Sequence, residues 1–148
     1  MIKKIISIIV VSFSLNVIAL ELKPLDDVIN TLDLEDDVSK IYLYQRCSGF
    51  YGAMWDAMLN QNKEMAETML KHQQKLLTYA SLLDYNLNKT EITESFEKQK
   101  NNVQTIKDIY VELFNNNWFE RGAYFQGTWI EGDVKWCGMI VESLPDIE

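Results

Sequence analysis

The chain predicts an all-α protein, a compact antiparallel helical bundle of about four main helices closed by one disulfide between the first long helix and the last. Three observations carry this expectation. Apolar residues recur every three or four positions through three long stretches, the spacing of one face of a helix. The connections between those stretches are short, which favours antiparallel neighbours. The only two cysteines, Cys47 and Cys137, each lie in an apolar helical pattern at opposite ends of the folded region. A tetratricopeptide-like helical stack is the alternative, without a convincing repeat of about 34 residues to carry it.

The full chain of 148 residues suits a single domain, and 47% hydrophobic with 24% charged residues is ordinary for a globular protein. Residues 1–19 read as a cleaved signal peptide. Lys3 and Lys4 form a positive start, residues 5–18 form a short apolar run, and Val17-Ile18-Ala19 fits a small-residue cleavage site. An uncleaved anchor is the alternative, but this run falls short of the roughly 20 residues needed to span a bilayer. No stable membrane anchor is expected after cleavage. Removing Lys3 and Lys4 leaves 14 − 2 = 12 basic residues against 22 acidic ones, a net charge of −10 where the precursor has −8. Such a balance argues against nucleic acid, whose binding rests on clustered Lys and Arg.

Export, as to a bacterial periplasm, changes what the cysteines mean. In an oxidising compartment an even cysteine count is usually paired, whereas in the cytosol the same residues are more often free core thiols. Pairing Cys47 with Cys137 closes nearly the whole domain.

Residues 20–37 form an acidic N-terminal segment with a short helix over 25–32, and Pro24 stands near its start, where a missing N–H costs little. The acids Asp33, Glu35, Asp36 and Asp37 lack the alternating spacing and distal Glu of a calcium loop. Asp36 or Asp37 is instead expected to cap the next helix. The bundle domain follows over residues 38–148.

Its first long helix is expected over 38–60. Ile41, Tyr44, Ser48, Tyr51, Trp55 and Met58 form one row, with Leu43, Cys47, Phe50, Met54 and Ala57 beside it. The apolar arc is therefore broad, while Gly49, Gly52 and Ala53 permit another backbone to approach closely. A second helix, over 63–87, carries the stripe Met65, Met69, His72, Leu76, Ala80, Leu83 and Leu87. His72 is the only histidine, but no second His, neighbouring nucleophile or Glu-x-x-His pattern accompanies it. A packing role is the plainer expectation.

Thr90 is expected to cap a third helix reaching residue 116, with the stripe Ile92, Phe96, Gln99, Val103, Ile106, Tyr110 and Leu113. After it, the glycines at 122, 127 and 132 predict a bent or broken helical segment over 118–125 and a loop over 126–132. A hairpin over 125–129 is the alternative. Asp133 then caps a last helix over 134–143, before Pro145.

The chain carries no G-x-S-x-G elbow, Walker loop, dinucleotide glycine fingerprint, C-x-x-C-H attachment site or HExxH. No catalytic residue, metal ligand set or cofactor is therefore expected. The leading functional expectation is a small secreted or periplasmic interaction or accessory protein, non-enzymatic, such as an inhibitor or immunity-type binding module. The alternative is a bundle that binds a small apolar or carboxylate ligand, with the aromatics over 118–136, Trp118, Trp129 and Trp136 foremost, lining a pocket together with Tyr51 and Trp55, and Arg46 or Arg121 orienting a carboxylate. Against that pocket stands the plainer expectation that the four tryptophans fill the core and both arginines sit at the rim.

Overall fold

The computed structural model describes residues 22–147, of which 79% are helical. The signal-peptide expectation falls on residues outside that range. The elements are α1 (Leu25–Val28), running into a 3-10 turn at Ile29–Thr31, then α2 (Asp37–Met58), α3 (Lys63–Asn88), α4 (Ile92–Arg121) and α5 (Ile130–Ser143). No strand occurs among the described residues, so the hairpin alternative does not form.

The helix starts show how local chemistry sets boundaries. Asp36 accepts a hydrogen bond from the Ser39 N–H at 2.9 Å, and Asn62 accepts one from Met65 at 3.0 Å, each satisfying an otherwise orphaned first-turn donor. Pro24 stands at the start of α1 as expected, in the cap position one residue before Leu25. Thr90 does not cap α4; its hydroxyl bonds Ser95 Oγ instead, and Glu91 takes the cap position without a side-chain bond. The expected break after residue 116 is absent as well. Helix α4 continues unbroken to Arg121 and stops at Gly122, whose φ of +71° is the left-handed cap that glycine adopts without steric cost.

Helix α2 is the central rod, buried without interruption from Arg46 to Met54. A helix apolar on all sides belongs in the interior. Helix α3 runs antiparallel to it, as the contacts Tyr44–Tyr79, Ser48–Gln73 and Tyr51–His72 show by their falling numbers. Helix α4 is parallel to α2, with Gln45 against Gln99 and Asp56 bonded to Lys107 at 2.8 Å. Gly49 allows that approach. A Cβ there would lie 2.6 Å from Ile106 Cγ2, closer than real side chains come, and a tight 3.0 Å from the Lys107 backbone nitrogen.

The apolar stripes hold in their middles and fail at their ends. On α3, Leu76 and Ala80 are buried but Met65 and Leu87 are exposed; on α4, Val103, Ile106 and Tyr110 are buried but Ile92 and Phe96 are not. Ser95 and Phe114 complete the inward face of α4. None of the four tryptophans is fully buried, so they border the core rather than fill it. Finally, Cys47 and Cys137 form the disulfide across a sequence separation of 90, joining α2 to α5.

Candidate functional site

Five of the residues singled out in the sequence fall into two separate groups, and Tyr51 and Trp55 lie apart from both. The first surrounds Arg46, which is fully buried rather than at the rim. A guanidinium has five N–H donors and no acceptor, so its burial requires acceptors on several sides. The fold supplies them from four segments. Asp133 Oδ2 on α5 lies 2.6 Å from Nη2, the Lys23 carbonyl 2.8 Å from the same nitrogen, the Tyr110 hydroxyl accepts from Nε, and Tyr42 lies 3.4 Å from Nη1. Trp129 adds its ring face at 5.9 Å.

Asp133 is the second half of this hub. It sits inside α5, which begins at Ile130, and so does not cap its own helix. Its Oδ1 accepts the Leu25 N–H at 2.8 Å, capping α1 from 108 positions away, while Oδ2 accepts from Arg46 and from the Tyr110 hydroxyl. Burial pushes the Tyr110 phenol well above its ordinary pKa, which keeps the proton it donates. Burial opposes the Arg46 charge, but Tyr110 and Asp133 outweigh it and raise that pKa also. No buried side-chain nitrogen or oxygen among the described residues lacks a partner. The hub is thus a closed ionic clasp that fixes α1 and α5 onto α2 and α4. Trp136 reinforces it by donating its indole N–H to Asp26 at 2.7 Å.

Tyr51 lies elsewhere, buried against Phe50 and His72. Burial, aided by Glu142, pushes its phenol up to about 12. The half-buried His72 imidazole is held below its usual pKa by burial and by Lys75, against the pull of Glu142. Trp55 is half-buried, with the Lys107 ammonium 5.1 Å from its ring centroid.

The second group occupies the far end of α4. Trp118 is 51% exposed and stacks on Tyr124 at 4.9 Å, and Phe119 is 91% exposed. Arg121 is exposed, with its guanidinium reaching the Gly127 carbonyl at 3.4 Å. Tyr124 is fixed from two sides, by Gln61 donating to its hydroxyl at 2.7 Å and Asn117 donating to its carbonyl at 2.8 Å. It walls an open groove of about 250 Å³ whose other sides are Ala53, Asp56, Ala57, Val111, Phe114 and Asn115. The structure therefore does not gather Tyr51, Trp55, Trp118, Trp129 and Trp136 around one cavity, nor place Arg46 where a ligand would reach it.

Phe119 and Tyr124 lie in the aromatic run over 118–136 that the sequence expects in a pocket; what sequence reasoning missed is that they form an exposed end beside a groove. The signal was available in part: Asp108, Glu112, Asn115 and Phe119 repeat at helical spacing, an exposed stripe ending in a bulky apolar side chain. Among the described residues, no group of three or more His, Cys, Asp or Glu side chains is arranged to hold a metal, and no helix is long and apolar enough to cross a membrane. Comparison with family models, with curated proteins and with solved structures finds no match to this chain.

Proposed function

We propose that the protein is an exported, non-enzymatic binding module whose working surface is the aromatic end formed by Trp118, Phe119 and Tyr124. The observation that carries this reading is Phe119, 91% exposed at the end of α4, far more than Ile92 or Phe96 at the helix's other end. Exposed aromatics beside a groove favour partner contact, because aromatic anchors supply much of the energy at protein interfaces. The groove of about 250 Å³ is smaller than the roughly 300 to 1,000 Å³ usual for small-molecule pockets, which favours a partner's side chain as its occupant. Export is supported by the leader-like first 19 residues together with the Cys47–Cys137 disulfide, a bond that persists in oxidising compartments.

Two measurements test the reading. Mass analysis of protein recovered from outside the cytoplasm is expected to show a chain beginning at residue 20. A photo-crosslinking amino acid at position 119 is expected to give a discrete protein adduct in the native compartment, and one at position 100, on the opposite half of α4, to give none. Absence of an adduct from position 119 would end the case for this surface.

A further inference from the structure

We infer that the partner bound at the aromatic end presents a basic segment, an apolar side chain flanked by Lys or Arg. This rests on the proposed binding role of that end and adds the chemistry of what binds there. From position 108 to 120 the sequence contains Asp108, Glu112 and Glu120 and no Lys or Arg. Asp108, Glu112, Asn115 and Phe119 follow one another at steps of four, three and four, so they lie along one face of α4, and all four are exposed. Val111, one position to the side, and Asn115, on the face itself, line the groove.

A chain laid along this face meets, in order, two carboxylates, a recess with Ala57, Val111 and Phe114 on its apolar side and Asp56 and Asn115 on its polar side, and a projecting phenyl ring. Of the nearby cations, Lys107 is neutralised, while Arg121 keeps its charge and turns toward the loop beyond Gly122. Lys107 bonds Asp56 at 2.8 Å and covers Trp55, and Arg121 reaches back to the Gly127 carbonyl. Asp108 accepts one bond from Gln104 at 2.7 Å, which leaves carboxylate acceptor capacity facing solvent. A second copy of this chain would bring the same acids into opposition, and like charges across an interface disfavour it. A basic segment instead lets its apolar side chain enter the groove while its cations face Asp108 and Glu112.

The test uses the whole folded protein and three fluorescein-labelled 12-residue peptides: one with a central Leu flanked by lysines, one with the same Leu flanked by glutamates, and one with Ser replacing Leu between lysines. By anisotropy, only the Lys-flanked Leu peptide is expected to bind measurably, more weakly at 200 mM than at 50 mM salt. Its affinity is expected to fall at least tenfold in D108N/E112Q and in F119S, and to stay within twofold in E91Q/E94Q, which removes two acids at the other end of α4. Equal loss in E91Q/E94Q, equal binding of the Glu-flanked peptide, or no binding of any peptide overturns the inference. So does a dimer in sedimentation that F119S abolishes. If position 119 still crosslinks its native partner while D108N/E112Q leaves that adduct undiminished, the basic chemistry fails and the binding role stands.

Discussion

Arg46 and Arg121 are the chain's only arginines, each set among aromatic residues, yet the fold uses them in opposite ways. Around Arg46 the acceptors come from Tyr42, Tyr110, Asp133 and the Lys23 carbonyl, so the charge is spent inside the molecule. Around Arg121 the aromatics Trp118 and Phe119 face outward, and the guanidinium finds only a backbone oxygen. The difference lies in topology. Arg46 stands at the middle of the most buried helix, where α1, α4 and α5 converge; Arg121 is the last residue of α4, where only the Gly127 carbonyl meets its guanidinium. Arginine with nearby aromatics therefore marks a clasp when four segments meet and an open surface when they do not.

The largest effect should come from breaking the clasp on one side. Asp133→Ala leaves a buried guanidinium without its anion and α1 without its cap, and is expected to cost about 3 to 5 kcal/mol in denaturant unfolding. Replacing both charges, as Arg46→Met with Asp133→Leu, should recover part of that loss, since a buried pair is often no better than apolar packing. A loss under about 1 kcal/mol for Asp133→Ala would mean that the hub is open to water. Next in size is the disulfide. With 90 positions between its ends, chain entropy gives about 4 to 5 kcal/mol as an upper figure, and about 2 to 4 kcal/mol is the usual range. Cys47→Ser with Cys137→Ser should lower the unfolding free energy by that range, and adding reductant to the wild type should reproduce it.

What the sequence made legible follows the same division. Helix faces were readable because their period is a local property: Gln99, Val103, Ile106 and Tyr110 are buried as expected. Where each stripe stops was not readable. Ile92 lies on the same face as Gln99, two turns earlier, yet is 42% exposed, because the packed face of α4 begins only at the buried Ser95. The cysteine pair was legible because two cysteines allow one connectivity. Asp133 was misread because an acid after a glycine looks like a local cap, while its partners Leu25 and Arg46 stand 108 and 87 positions away. The break expected after residue 116 failed for a related reason: Asn115, Asn116 and Asn117 weaken a helix locally, but Asn117 is held by the Tyr124 carbonyl and Phe114 is anchored in the core. The aromatic end was marked as a surface only by the spacing of Asp108, Glu112, Asn115 and Phe119, since exposure itself depends on which elements fail to cover it.

A smaller effect tests the rim of the clasped core, where His72 packs on the Tyr51 ring at 4.9 Å with Lys75 and Glu142 nearby. Its folded pKa lies below the ordinary 6.5 because burial, then Lys75, disfavours the cation, and Glu142 only partly offsets them. The sign follows: the unfolded chain takes up the proton first, so stability is fully present above about pH 6.5 and declines as pH falls through the lowered value. His72→Gln should flatten that part of the profile. Melting temperatures of both proteins measured from pH 8 to pH 5 check it, and parallel curves would show that the imidazole is equally free in both states.

The smallest stability effect is expected at the open end, and its smallness is the point. Phe119 is 91% exposed, so Phe119→Ser removes little native packing and should shift unfolding by no more than about 0.5 kcal/mol. A buried aromatic would cost about 3 to 5 kcal/mol on comparable truncation. An aromatic anchor at an interface would instead show its contribution in binding, at about 2 kcal/mol or more. The pair of measurements separates a surface held for a partner from one merely left uncovered. Unchanged melting with lost binding places Phe119 in recognition, unchanged melting with unchanged binding leaves it idle, and a large loss of stability would mean that the ring belongs to the core after all.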